Sequence, residues 1–227
     1  MLELHIANKN YSSWSLRPWL LLTELGLAFE ERMHVFAAGS NWAAFRGFSP
    51  NGRVPCLRDG DTVVWDSLAI VEYLAERHAG VWPHDAAARA WARCAAAEMH
   101  AGFGALRQHC SMSCGVRVRL HGVPPALAAD VARIDELWCE GLRRFGGPFL
   151  AGDRFTAVDA FYAPVVFRVQ TYALALGEPA MAYAQRLLAL PSMQRWYAQA
   201  LAEPWRDAGH DDEIASAGRI TADLRAG

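Results

Sequence analysis

The sequence predicts a small α/β sheet domain followed by an all-helical domain, and three observations carry that reading. Strand and helix patterns alternate over the first 80 residues, and an Asp59-Gly60 pair separates two short apolar runs. Beyond Pro83 the chain becomes Ala-rich and helical in period, nearly free of strand runs. With 227 residues, 53% of them hydrophobic and 20% charged, the composition is that of an ordinary globular protein, enough for one large domain or two small ones.

Residues 2–7 alternate apolar and polar side chains, the period of a half-buried strand. Residues 16–25 form a helical run stopped by Gly26, which suits the left-handed residue that closes a helix. Residues 28–35 read as a second strand, and residues 37–53, dense in Gly, Ser, Asn and Pro, as an irregular segment. Residues 55–58 and 62–65 flank Asp59-Gly60, a dipeptide that tolerates the positive φ of tight turns, so they pair as a hairpin. Ser67 can cap the next helix, in which Leu68, Val71 and Leu74 share a face before it ends near Gly80. The order βαβ, then ββα, describes a thioredoxin-like sheet over residues 1–80. Residues 81–85 serve as a linker. Helical runs over 86–110, 126–145, 158–176, 180–188 and 192–202 make residues 86–227 an all-helical domain, with a polar, loosely packed tail from residue 206.

Composition removes several function classes. Lys and Arg number 22 against 24 Asp and Glu, a net charge of −2, so no basic surface for nucleic acid is expected. No apolar stretch approaches the roughly 18 residues of a membrane span, and neither a signal peptide nor a membrane partner is predicted. The five cysteines are odd in number and form no CxxC pair, which suits a reducing compartment and predicts a cytoplasmic location. The eight histidines fall in no HxxxH or HExxH spacing, so no metal site is expected. GxxxxGK[ST] and GxGxxG are both absent, which leaves nucleotide phosphates without a cradle.

Four constellations could carry chemistry or shape it. Ser12, Ser13 and Ser15 crowd the loop ahead of Arg17-Pro18, where unpaired helix amides can stabilise an anion or thiolate; read alone, the loop is a helix cap. Arg53, Val54 and Pro55 precede the hairpin. An ordinary trans proline is the plainer reading, while a cis bond would leave the Val54 backbone free to pair with an extended ligand. Asp66 and Ser67 open a helix, as a doubled cap or as acceptors for the ammonium and carboxylate of an amino-acid head group. Thr156 and Asp159 read as a capping box with a structural role only.

Together the SSxSxRP loop, the Val-Pro before a hairpin, the DSLAIVEYL helix and the later TxxD resemble a cytosolic glutathione S-transferase, over almost the whole chain. The resemblance implies a thioredoxin-like glutathione domain, a helical domain supplying the second substrate pocket, glutathione as cosubstrate without a metal, and a homodimer with residues 86–110 at its contact. It implies a serine-type enzyme whose catalytic hydroxyl lies five residues before the first-helix arginine, which is Ser12. Glutathione would then lie against Ser13, Arg53, Val54, Pro55, Asp66 and Ser67, with Ser15 in reserve. A small hydrophobic electrophile would be walled by Trp14, Trp42, His100, Phe103, Arg107 and Met112. The zeta class is the nearest by loop, matching Ser12, Ser13, Ser15 and Arg17. That class has a cysteine where Trp14 stands, and its substrate-binding arginine falls on Thr171, with Arg168 one turn away. Maleylacetoacetate isomerase chemistry and a non-catalytic glutathione- or partner-binding role are the alternatives. A glutaredoxin-like reductase would need a reactive cysteine, for which Cys56 is the only nearby thiol in sequence.

Overall fold

The computed structural model describes residues 1–37 and 39–226; Ala38, in the irregular segment, and Gly227, at the tip of the tail, lie outside the described residues. Strand β1 (Leu2–Ala7), helix α1 (Ser13–Glu24) and strand β2 (Phe29–His34) form the βαβ unit, with β1 and β2 parallel. A short helix α2 (Trp42–Phe45) interrupts the irregular segment and buries Phe45. The hairpin of β3 (Cys56–Asp59) and β4 (Thr62–Trp65) joins β1 antiparallel, giving a mixed sheet in the order β2-β1-β3-β4. Alternation along β1 sends Leu4 and Ile6 into one apolar cluster with Leu16 and Leu20 of α1 and with Ile70, Val71 and Leu74 of α3 (Ser67–Ala75). Each such burial stabilises the fold by about 1.5–3 kcal/mol.

The rest of the chain runs through α4 (Ala86–Ala101), α5 (Gly104–His109), β5 (Val116–Leu120), α6 (Pro125–Phe145) and α7 (Ala157–Tyr172). It ends with α8 (Glu178–Leu188), α9 (Pro191–Ala202), α10 (Ala208–Ala217) and β6 (Gly218–Asp223). Helix α7 is apolar almost all round, hence central: it is buried along nearly its whole length and packs on α1 from one side and α4 from the other. Its start is the capping box foreseen in the sequence. Asp159 accepts the Thr156 amide at 2.9 Å, the Leu150 amide at 3.0 Å and the Tyr183 hydroxyl at 2.9 Å.

Two readings of the helical part need correction. The single helix expected over residues 86–110 breaks at Gly102 because Phe103 takes φ 57°, a left-handed conformation that cannot continue a right-handed helix. Arg107 of α5 then donates to the carbonyls of Gly102 and Met99, fastening the new helix to the end of the old one. The tail is also not loose. Helix α10 buries Ile214, and β6 pairs antiparallel with β5, whose Val-Arg-Val-Arg-Leu alternation buries Val116 and Val118. The helical domain therefore carries a two-stranded ribbon. Arg225 locks the tail to the first loop, reaching Asp211 at 2.6 Å, Asp223 at 2.7 Å and the Tyr11 hydroxyl at 2.9 Å. Among the described residues no helix is long and apolar enough to cross a membrane.

Candidate active site

The loop between β1 and α1 is held from behind. Asn8 accepts the amides of Tyr11 and Ser12 at 3.1 and 2.8 Å through its carbonyl, and the Asn10 side chain accepts the amides of Cys114 and Gly115, both at 3.0 Å. Ser12 stands at the N-cap of α1, yet its side chain caps nothing. The cap expected of this loop is therefore absent. Ser12 Oγ instead lies 2.7 Å from Ser15 Oγ, and Ser15 Oγ accepts the Ala7 amide at 3.2 Å. Both serines are buried, and the amides of Trp14 and Ser15 have no acceptor among the described residues. The Ser12 hydroxyl thus stands beside unpaired amides at the start of a helix, a setting that favours negative charge.

The start of α1 borders a cavity of about 480 Å³ between the sheet domain and the helical domain. Of the residues expected at the site, Ser12, Ser13, Arg53 and Val54 line it, as do Trp14, Trp42 and Met112. The Val54-Pro55 bond is cis, against the plainer reading of the sequence, and the backbone N–H and C=O of Val54 make no hydrogen bond among the described residues. Gly52, at φ 63°, lets the Trp42 indole rest directly on the loop: a Cβ there would come within 2.6 Å of Trp42 Cδ1.

Asp66 and Ser67 sit at the start of α3. Asp66, not Ser67, is the cap: at φ 74° its carboxylate accepts the Leu68 amide at 2.8 Å. The Ser67 hydroxyl is buried without a partner among the described residues. His100 Nε2 approaches Asp66 Oδ1 at 3.6 Å, while burial holds the imidazole below its ordinary value despite the carboxylate, so at neutral pH the contact is dipolar.

His100, Phe103 and Arg107, expected to wall the electrophile, do not line the cavity; His100 and Arg107 instead meet the Trp14 ring. The Arg107 guanidinium stands 4.8 Å from the Trp14 ring, that of Arg17 4.1 Å, and the His100 ring meets it edge-on at 5.3 Å. Arg17 is fully buried between Trp14 and Phe161. Burial first, then the nearby Arg107 and Arg168, push its guanidinium well down from the usual arginine value.

Sequence reasoning missed part of the wall. Tyr11, Phe36, Ser111 and His210 line the cavity, as does Arg168, which the sequence flagged only through a family comparison. Arg168 donates from Nε to the Cys110 carbonyl at 2.7 Å and from Nη1 to that of Pro164 at 3.1 Å, and it has no carboxylate partner among the described residues. Burial, then Arg107, brings it down to about 10. His210 arrives from α10, where the polar tail gave no periodic signal. Its Nδ1 lies 2.9 Å from Asp207 Oδ1, and its ring stacks on Tyr11 and Phe36 at 5.1 and 5.4 Å.

Cysteine chemistry has no foothold here. Burial pushes the thiols of Cys56, Cys110 and Cys114 up, that of Cys110 to about 12, the reverse of an activated cysteine. Among the described residues no three His, Cys, Asp or Glu side chains cluster as metal ligands.

The chain is similar in sequence and fold to known proteins. Residues 11–77 match the model of the glutathione S-transferase N-terminal domain, and residues 85–199 that of the C-terminal domain. Glutathione S-transferase GstB of Escherichia coli K12 is 29% identical over 216 residues, covering 86% of this chain and 92% of the relative. A theta class glutathione S-transferase from Xanthomonas axonopodis pv. citri, solved with glutathione bound, superposes with a TM-score of 0.62 at 27% identity, over 86% of this chain and 96% of the other. In fold alone, at 23% identity, a glutathione transferase homolog from Burkholderia gl BGR1 with bound glutathione gives a TM-score of 0.66 over 88% of this chain and 97% of its own. The two matched domain models together span most of the sequence, and the chain belongs to the glutathione S-transferase family.

Proposed function

We propose that the protein is a serine-type glutathione transferase, in which Ser12 stabilises the glutathione sulfur as a thiolate for attack on a small hydrophobic electrophile. The observation that carries this reading is the Ser12 hydroxyl: it occupies a cap position, caps nothing, and lies in the cavity wall beside unpaired amides. A free thiol is mostly protonated near neutral pH, so a donor placed on the sulfur lowers its pKa and raises the reactive fraction. Ser12 donates to Ser15 Oγ, which also accepts the Ala7 amide; when the Ser12 proton turns to the sulfur, the Ser15 proton can take its place between the two oxygens.

The tripeptide extends from that sulfur along the sheet domain, on residues 1–80. The unpaired Val54 backbone pairs with its cysteinyl unit, with Pro55, Arg53 and Ser13 alongside. Asp66 takes the γ-glutamyl ammonium, and the partnerless Ser67 hydroxyl takes its carboxylate. The electrophile lies against Trp14, Trp42 and Met112 and against the helical domain beyond the 81–85 linker. We further infer a cytoplasmic homodimer joined through α4. A zeta-type isomerase finds no support at the position where that class carries its arginine: Thr171 is buried there and donates to the Ser113 carbonyl at 2.6 Å.

The test is to titrate glutathione into wild type and Ser12→Ala while following the ultraviolet thiolate band across pH. The band should appear at lower pH in wild type alone. Binding without a band in either protein ends the assignment of Ser12.

A further inference from the structure

Helix α10 and its flank supply a group that thiolate formation alone does not require. We propose that Asp207 and His210 form a proton shuttle in the electrophile pocket, and that the second substrate is an α,β-unsaturated carbonyl compound. The proposal rests on the thiolate reading above and adds to it the fate of the proton.

Asp207 Oδ1 accepts both the His210 amide, at 3.0 Å, and the ring Nδ1, at 2.9 Å. An ionised carboxylate can only accept, so Nδ1 carries the proton that reaches Asp207, and Nε2 is the ring nitrogen left to exchange a proton with a substrate. Tyr11 and Phe36 clamp the ring on the cavity wall, and Tyr11 directly precedes Ser12. The geometry of an oriented base in a substrate cavity is that of general acid–base catalysis. Aryl halides expel an anion and need no proton returned. Addition to an enone does: the new carbon–sulfur bond forms at the β-carbon, and the π pair moves onto the carbonyl as an enolate.

In the proposed sequence His210 Nε2 takes the glutathione thiol proton as the sulfur becomes a thiolate. The sulfur then adds, and the imidazolium returns that proton to the α-carbon as its N–H bond breaks. The sum is S–H added across C=C, with His210 restored. Arg168 stands in the same wall with no carboxylate partner among the described residues, a fixed positive charge where the enolate oxygen develops.

The experiment measures kcat/KM of wild type, His210→Gln and Asp207→Asn with an enone and with an activated aryl chloride, alongside the glutathione thiolate band. Losing both proton steps should cut the enone reaction by roughly 10²-fold or more in His210→Gln. The aryl chloride, which uses only the first step, should lose at least tenfold less. Asp207→Asn keeps a side chain that caps α10 well, so it tests the positioning role if His210→Gln folds poorly. Its enone-to-chloride ratio should fall too, which loss of a cap alone would not produce. Equal losses on both electrophiles, or an unchanged ratio in both variants, overturn the shuttle. A wild type that binds glutathione without a thiolate band fails the Ser12 reading instead, a result visible before either electrophile is added.

Discussion

Removing the Ser15 hydroxyl is a sharper test of the serine pair than removing Ser12 alone. Ser15 Oγ lies 2.7 Å from Ser12 Oγ and accepts the Ala7 amide at 3.2 Å, so Ser15→Ala does two separable things. It leaves the buried Ala7 N–H without an acceptor, at a cost to stability of about 1–3 kcal/mol. It also withdraws the proton that would polarise Ser12 once the Ser12 hydroxyl, which rests on Ser15, has turned to the sulfur. If the Ser12 contact to sulfur is worth about 2.7–4 kcal/mol in the transition state, and a neighbouring hydrogen bond strengthens it by roughly 10–30%, the loss is about 0.3–1.2 kcal/mol. That is about a two- to eightfold fall in kcat/KM, against roughly 10²–10³ for Ser12→Ala. The assay is a double-mutant cycle with one electrophile, with urea midpoints measured in parallel. In the Ser12→Ala background, Ser15→Ala should cost the same stability and no further rate. A rate loss of equal factor in both backgrounds would show that Ser15 does not act through Ser12, and the reasoning would fail.

Asp159→Ala removes the acceptor of four buried donors, the amides of Leu150 and Thr156 and the hydroxyls of Thr156 and Tyr183, and should cost about 3–5 kcal/mol by urea denaturation. Lys9, buried on the rings of Trp19 and Trp196, meets Glu31 at 2.6 Å and Gln199 at 2.6 Å; Glu31 is solvent-exposed, so Lys9→Met leaves a solvated carboxylate and should destabilise by only about 1–3 kcal/mol in urea denaturation. Burial, then its neighbour His34, brings His5 down to about 4 from 6.5, so the native ring stays neutral while the unfolded ring takes a proton. The stability contributed by the neutral His5 is therefore full above pH 6.5 and is lost as the pH falls to about 4, a change of about 3 kcal/mol. His5→Phe should flatten that part of the urea midpoint against pH relative to wild type.

The sheet domain was legible in the sequence because its signals are local. Alternation over residues 2–7, Gly26 at φ 65° and the Asp59-Gly60 turn each act within a few residues, and the strands lie where those signals put them. The capping box of Thr156 and Asp159 was legible for the same reason. The tail was not, since β6 becomes a strand only by finding β5 about 100 residues earlier, and β5 itself was lost in an Ala-rich, helical context although its Val-Arg-Val-Arg-Leu pattern has period two. His210 shares that obscurity: nothing near it in the chain says that it will stack on Tyr11. The placement of His100, Phe103 and Arg107 in the electrophile wall came from the resemblance alone, and the break at the left-handed Phe103, which starts α5, has no local signal in the Ala-rich run before it.

These long-range contacts also mean that the proposed thiol site and the proposed electrophile pocket are not independent modules. Ser12 takes its position from a loop whose amides and side chains are bound mostly by the other half of the chain. Glu203 accepts the amides of Lys9 and Asn10 at 2.6 and 3.2 Å, Asn10 accepts those of Cys114 and Gly115, and the Lys9 carbonyl accepts the Trp196 indole N–H at 3.0 Å. Tyr11 is held by Asp211 and Arg225 of the tail. A change in the packing of α9 or α10 therefore moves the Ser12 hydroxyl as directly as it reshapes the pocket, and a displacement of about 1 Å in a reacting group can cost on the order of 10²-fold in rate. Substitutions at Glu203 or Arg225, neither of which lines the cavity, should for that reason lower kcat as well as alter substrate preference, whereas changes on the exposed face of α6 should do neither.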